Sequence, residues 1–398
     1  MRLVHLSDLH LGYRQYQRLT PTGINQREAD VAGSLKRAVD RTIELRPDLV
    51  LLAGDIFHNV RPTNPAILHA FRQFTRLRQS LPDATMVMVA GNHDTPRSSE
   101  TGCILKLFTD LGMEVVDAEA RRVVVPSRDL AILAVPDSGA PRPALAPDPA
   151  YRHNILLLHG EVEGVLRAPV PADRATAEIS RAELGASRWD YVALGHYHVY
   201  REIAPNAYYS GSIDYTSANT WGELDEEREL GVPGKGLIEH DLVTGRHVFH
   251  PLAPSRALIA LPAFSARGRT ASEVDAEIRE RVEGCAGGIE DRIVRLVVHD
   301  VSRHTARELD YKAVREYKRR AMHFQLELRR PEIIRVIGSA APGRRPSLKE
   351  IVRDRLQSRL LDADVSREAL IALGIAYLER VERESREQQL APAAAEEP

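Results

Sequence analysis

Five short motifs in this chain carry residue types that bind metal ions through oxygen and nitrogen. Asp8 and His10 stand one residue apart in Ser7-Asp8-Leu9-His10-Leu11-Gly12, directly after an apolar run at residues 3–6. On an extended segment, side chains two apart point the same way, so a carboxylate and an imidazole converge on one point. Alone, the pair is also what a polar turn after a strand looks like. The pattern recurs, however: Gly54-Asp55-Ile56-Phe57-His58, Gly91-Asn92-His93-Asp94, His159-Gly160 and Gly195-His196-Tyr197-His198 each follow an apolar run. Asp8, His10, Asp55, Asn92, His159, His196 and His198 together form an oxygen and nitrogen donor set large enough for two metals. Two metals suit a reaction as slow as phosphate ester hydrolysis. One general acid or base supplies about 10²- to 10⁴-fold, roughly 3 to 5 kcal/mol of a total that runs from about 8 to 23 kcal/mol. Cations about 3.5 to 4 Å apart can activate a water, hold the phosphate and screen its charge. A carboxylate must bridge cations that close, and Asp55, with a glycine before it, is the candidate.

These motifs need a scaffold that gathers strand ends. Apolar runs at 3–6, 48–52, 85–90, 130–135, 154–158 and 191–194 alternate with helical patterns, the signature of a layered α/β fold, in which loops at the strand ends form the ligand-binding edge. A helix over 25–46 carries Val31, Leu35, Val39 and Ile43 and stops before Pro47. Another over 64–79 places Ile67, Leu68, Phe71, Phe74 and Leu77 on one stripe, as core or in part as a partner surface. Residues 136–149, rich in proline and alanine, read as a surface excursion. A last pair of strands is expected near 237–252. The domain plan is a layered α/β domain over 1–255 and a small α+β unit over 256–337. A linker at 338–345, two amphipathic helices within 346–387 and a disordered tail at 388–398 complete it. Ser347 and Glu350 form a capping box for the first of those helices.

The 398 residues are 43% hydrophobic and 28% charged, with a formal net charge of -2. That balance excludes a protein that holds nucleic acid by bulk positive charge, although basic residues gather locally in the small unit and at 315–320 and 329–335. Two distant cysteines, Cys103 and Cys285, exclude a disulfide framework or thiolate cluster and fit a reducing cytoplasm. No apolar run has the length of a membrane span, and a strand from residue 2 leaves no room for a signal peptide, so a soluble, cytoplasmic protein is expected. His5 alternates with apolar residues and reads as a core histidine. Tyr197, between two proposed ligands, is a candidate to stack on a base or sugar, with packing as the alternative. Arg61 and the loop bearing Ser210, Gly211 and Ser212 are candidates to touch the phosphate backbone of a substrate, with an exposed, solvated charge as the other reading of Arg61.

The ordered set Asp-x-His, Gly-Asp, Gly-Asn-His-Asp, His and Gly-His-x-His resembles the calcineurin-like metallophosphoesterase superfamily. Ser-Asp-Leu-His-Leu-Gly, Gly-Asp-Ile-Phe-His, Tyr209-Ser210-Gly211-Ser212, the second small domain and the helical C-terminus narrow the likeness to SbcD-type DNA repair nucleases. The resemblance implies a metallophosphoesterase sandwich with a capping domain. Asp8, His10, Asp55 and His198 would hold one metal, and Asp55, Asn92, His159 and His196 the other. His93 would protonate the leaving sugar oxygen or stabilise phosphate charge, Asp94 would orient His93, and His58 matches a second histidine that some members place near the substrate. It further implies manganese, a 3'-to-5' exonuclease and single-strand endonuclease activity in double-strand break repair, a homodimer built on the 64–79 helix, and docking of the C-terminal helices on an SbcC-like SMC-family ATPase. Ligand type alone allows Mn²⁺ or iron, and affinity order favours zinc. A small-molecule phosphodiesterase and a non-catalytic scaffold are the rivals.

Overall fold

The computed structural model describes residues 1–96, 102–165, 178–331, 347–357 and 366–390. They fall into two compact units, residues 1–331 and 332–398. The expected linker at 338–345 lies outside the described residues, as does the tail beyond Leu390.

In the first unit, two six-stranded sheets stack on one another. One runs in the order β14 (His247–Pro251), β13 (Gly236–Asp241), β1 (Arg2–Leu6), β2 (Leu49–Leu52), β3 (Thr85–Val89) and β4 (Glu114–Val116). The other runs β11 (Arg201–Ala204), β12 (Ala207–Tyr209), β10 (Tyr191–Gly195), β7 (His153–His159), β6 (Leu130–Val135) and β5 (Arg121–Val125). In the first sheet β1, β2, β3 and β4 pair in parallel while β13 is antiparallel to both β1 and β14; in the second, β12, β10, β7 and β6 pair in parallel and the edge strands β11 and β5 are antiparallel. Alternation along each strand builds the layers. Leu3, Leu49, Leu51 and Val87 face Leu130, Ile132, Ile155 and Leu157 between the sheets. Val4, Leu6, Val50 and Leu52 face outward, where helices α1 (Gln26–Leu45) and α2 (Asn64–Ser80) cover them. The second sheet buries Leu156, Leu158, Val192 and Leu194 with Trp189, beside the short pair β8 (Glu161–Val162) and β9 (Glu178–Ile179) and the single-turn α3 (Arg181–Leu184).

The α1 helix opens where Asn25 accepts the amides of Arg27 and Glu28, and it ends at Arg46, one residue before Pro47. On α2, Phe74 and Leu77 are core and Ile67 and Phe71 partly so, but Leu68 is 55% exposed, because Ala66 and Ala70 hold the inner face. Between β12 and β13 lies α4 (Thr220–Leu230), in a stretch that reads from sequence only as charged.

The small domain is a three-stranded sheet of β15 (Leu258–Ser265), β16 (Ile293–His299) and β17 (His323–Leu328), parallel throughout. Helix α5 (Ala271–Glu283) joins the first two strands, and two helices, α6 (Arg303–Glu308) and α7 (Tyr311–Arg320), lie between the second and third. The break between α6 and α7 falls where Asp310 turns its carboxylate to cap the amides of Lys312 and Ala313. This sheet meets the sandwich at a few points. Tyr16 stacks on His323 with centroids 3.9 Å apart, Arg256 pairs with Asp30 at 2.7 Å, and Trp221 of α4 donates to Gln325 at 3.2 Å.

The second unit contains α8 (Leu348–Gln357) and α9 (Arg367–Leu390). The Ser347 amide donates to Glu350 and the Glu350 amide to Ser347, the capping box expected. Helix continues to Leu390, past residue 388, where a tail was expected. Gly374 lets the helices close, because a β-carbon there would meet Leu356 at 2.9 Å.

Candidate metal centre

Register places the motifs side by side. Leu6 pairs with Leu52 and Gly195 with His159 at the carboxyl ends of their strands. Pairing then continues past the sheet: Asp8 N donates to Gly54 O at 3.0 Å, His10 N to Asp55 O at 2.9 Å and Leu11 N to Ile56 O at 3.0 Å. The loop after β1 is thereby zipped to the loop after β2. Crowding requires glycine at Gly54, which has φ of +92° and where a β-carbon would fall within the His159 ring. At Gly195 a β-carbon would collide with the Ala53 carbonyl. Four proposed ligands, Asp8, His10, Asp55 and His196, themselves have positive φ, between 45° and 107°. Non-glycine residues rarely stay there unless the surroundings over-determine them, and such residues cluster at functional sites.

Among the described residues, the side chains form three groups whose donor atoms lie within 4.8 Å of one another: Asp8, His10 and His198; Asp55, His159 and His196; and, sharing His10 with the first, His10, His58 and His93. Asp55 joins the first two. Its Oδ2 lies 3.6 Å from His10 Nε2 and 3.5 Å from His159 Nε2, and its Oδ1 accepts the His93 amide at 3.0 Å. Asn92 Oδ1 stands 3.1 Å from His159 Nε2. His10 Nε2 and His198 Nε2 face each other at 3.0 Å. Ligands about 2.1 Å from one octahedral cation sit about 3 Å apart, so nitrogens and oxygens at these separations fit a shared ion. Electrostatics agree. Burial raises the Asp55 carboxyl above its ordinary range, and burial together with the neighbouring His198, His93 and His58 holds His10 well below the usual imidazole value. A cation resolves both, neutralising the carboxylate and taking the free imidazole nitrogen.

The tautomers follow from the partners. His159 Nδ1 donates to the Ala53 carbonyl at 2.7 Å, which leaves Nε2 as the atom with a lone pair to offer a metal ion. His93 Nδ1 donates to the His58 carbonyl at 2.8 Å, and its ring centroid lies 4.8 Å from that of His10. The partner orienting His93 is therefore that carbonyl and not Asp94, a correction to the sequence reading. Asp94, fully buried, instead accepts the amides of Ile56, Phe57 and Gly91 at 2.9 to 3.1 Å and so holds the Asp55 loop against the Asn92 loop. His58 lies beside the cluster, with Nδ1 3.3 Å from His10 Nδ1.

Other assignments change. Ser210 and Ser212 have no exposed surface and Gly211 is buried, so direct DNA contact is closed to them. Ser210 Oγ lies 2.8 Å from Ser7 Oγ, which bonds the Asp8 carboxylate at 2.5 Å, so this stretch supports Asp8 from behind. Tyr197 is buried as well, its hydroxyl bonded to Glu226 and its ring edge-on to Tyr209, which removes it from base stacking. Arg61 is exposed. Sequence reasoning missed Glu223, whose Oε1 lies 3.1 Å from His198 Nδ1. The available signal was the spacing of Glu223, Glu226 and Glu227, which places three carboxylates on one helical face.

Two stacked sheets that bring carboxylates, an amide and imidazoles to one rim define a metallophosphoesterase. A model of the calcineurin-like phosphoesterase family matches residues 1–211, more than half of the chain, and the chain belongs to that family. It is similar to the DNA double-strand break repair protein Mre11 of Methanocaldococcus jannaschii, 28% identical over 247 residues that cover 60% of this chain and 61% of that protein. The protein of the same name in Methanosarcina acetivorans is 27% identical over 249 residues, 60% of this chain and 38% of that one. That of Methanococcus maripaludis is 36% identical over 102 residues, 26% and 25% of the two chains. The chain thus matches less than two thirds of the length of each of these relatives.

Proposed function

We propose that the chain is a two-metal phosphodiesterase acting on DNA, a 3'-to-5' exonuclease and single-strand endonuclease of double-strand break repair. The observation that carries the reading is Asp55 Oδ2, 3.6 Å from one imidazole group and 3.5 Å from the other, the position of a bridging ligand. Asp8, His10, Asp55 and His198 would hold one cation, and Asp55, Asn92, His159 and His196 the other. Two divalent cations held there, manganese by the family resemblance, would supply a polarised water and neutralise charge on the phosphodiester. His93, with Nδ1 committed to the His58 carbonyl, delivers a proton to the leaving oxygen through Nε2 as the imidazolium, a form that the negative charge of a phosphate favours. The ring of His58 stands beside His93 to bind the same phosphate.

DNA as substrate is supported by the printed function of the relatives and by the small domain, a capping domain over 256–337 with basic residues on α7. Arg61, which is exposed, is a backbone contact in this reading. The C-terminal pair leaves Leu348, Ile351, Leu373, Tyr377 and Val381 between 44% and 68% exposed, an apolar surface suited to an SbcC-like SMC-family ATPase. Leu68 on α2 offers an anchor for a homodimer. The protein acts in the cytoplasm on the nucleoid. Among the described residues, no helix is long and apolar enough to cross a membrane.

The test is Mn²⁺-dependent degradation of 3'-labelled duplex and single-stranded DNA by purified protein. Hydrolysis of a chromogenic phosphodiester with DNA left intact would establish the small-molecule rival, and absence of both activities the scaffold. Co-purification of a coiled-coil ATPase that survives deletion of 346–398 would refute the docking role of the helices. A monomer by light scattering at micromolar concentration would refute the dimer.

A further inference from the structure

Helix α4 turns carboxylates inward, where a helix ordinarily turns apolar side chains. Glu223 and Glu227 are 8% and 3% exposed. Each of its three inward or partly inward carboxylates has a target on residues 197–215. Glu226 takes the Tyr197 hydroxyl and pairs with Arg201 at 3.2 Å, Glu227 accepts the Tyr215 hydroxyl at 2.6 Å, and Glu223 Oε1 lies 3.1 Å from His198 Nδ1. Lys235, 2% exposed, closes the arrangement. Its ammonium donates to Glu223 Oε2 at 2.5 Å and to the His198 carbonyl at 2.8 Å, and pairs with Glu227 Oε1 at 3.0 Å. His198 is thus held twice, at its ring by Glu223 and at its backbone by the lysine that holds Glu223.

A buried ion pair is a poor way to stabilise a fold, because desolvating the charges offsets most of their attraction. What it provides is direction. An imidazole whose Nδ1 proton is given to a carboxylate has one tautomer and one ring orientation, with the Nε2 lone pair on the opposite side. On that side here are His10 Nε2 at 3.0 Å and Asp8 Oδ1 at 3.9 Å. We propose that Glu223, backed by Lys235, is the positioning residue that fixes the His198 ring for metal binding at the Asp8–His10 site. The inference rests on the two-metal reading above.

The experiment is calorimetric titration of Mn²⁺ into the full metal-free chain, wild type beside Glu223→Ala, Glu223→Gln and Lys235→Met, with Mn²⁺ electron paramagnetic resonance and the metal-free melting temperature of each. The wild type is expected to bind two ions and show the signal of a coupled pair. Glu223→Ala is expected to lose about 10- to 100-fold in affinity at one site while the other is unchanged, and to give a six-line mononuclear signal at concentrations where the wild type shows the pair. Glu223→Gln keeps an oxygen that can accept from Nδ1, and should recover most of the loss. Lys235→Met should weaken the same site. Two unchanged sites in a folded Glu223→Ala protein overturn the proposal. So does equal weakening of both sites alongside a lower metal-free melting temperature that Glu223→Gln shares, which is a structural role only. A wild type that binds fewer than two ions refutes the two-metal reading instead.

Discussion

Asp55 and His93 are joined by one hydrogen bond, from the His93 amide to Asp55 Oδ1 at 3.0 Å, while the other oxygen of the same carboxylate faces both imidazole groups. The proposed bridge and the proposed acid are therefore fixed relative to each other by the backbone, while each ring keeps its own tether. The two roles separate by mutation. His93→Ala should lower the rate of DNA cleavage by about 10²- to 10⁴-fold and leave the metal content unchanged by elemental analysis. An equal rate would remove His93 from the chemistry.

Asp55→Asn acts on the other half of that relationship. Its amide can still accept from the His93 backbone, but the bridging charge is gone. Metal content should fall from about two ions per chain to about one or fewer, since two close cations need a carboxylate between them. Activity should fall with it. Retention of both ions would show that Asp55 does not bridge.

Metal should also stabilise the fold. Cations that bind only the native state raise stability by about 2.7 kcal/mol at a hundredfold excess over the dissociation constant. Thermal unfolding of chelator-treated protein should therefore move upward on adding Mn²⁺, with a shift that grows with the logarithm of concentration. Substituting His159 with alanine should flatten that dependence.

Acid should destabilise the protein through histidines remote from the metal centre. His5 lies fully buried between the sheets with Nδ1 3.2 Å from the Tyr191 hydroxyl, and burial lowers it to about 3; His247, stacked on Tyr208, is lowered to about 4 by burial and by His240. In the unfolded chain each takes a proton near 6.5. Because the folded state binds fewer protons below that value, stability is full above it and is lost as the pH falls toward 4. For His5 alone the loss between pH 6.5 and 5 is about 2 kcal/mol. Denaturant unfolding at the two pH values measures it, and a His5→Phe variant should show a smaller difference. An identical pH dependence in that variant would refute the assignment.

The ligand set was legible because each member belongs to a short pattern at a strand end, and parallel strands deliver such ends to one edge. Asp8, His10, Asp55, Asn92, His159, His196 and His198 all arrive there. What surrounds them was less legible, since it depends on contacts between segments far apart in sequence. Ser210 and Ser212 read as polar loop residues open to DNA, and only the stacking of Ser7 against Ser210 shows that they face inward. Glu223 did not stand out in its charged stretch because its partners, His198 and Lys235, lie 25 and 12 residues away. Leu68 read with its stripe as core or partner surface because its spacing matched, and the choice was not legible because the small side chains of Ala66 and Ala70 take the close approach to the sheet. The two stacked sheets were expected only through the family resemblance, because pairing partners are chosen by topology and not by local pattern.

The zipped loops after β1 and β2 have a consequence for how binding is partitioned between enthalpy and entropy. Since amides from Asp8 to Leu11 are already bonded across to residues 54–56, these residues lose their conformational freedom when the sheet folds and not when a cation arrives. Loading this part of the centre then orders little beyond side chains and releases the water held by the ion. Favourable binding entropy is the thermodynamic mark of a centre preorganised in this way.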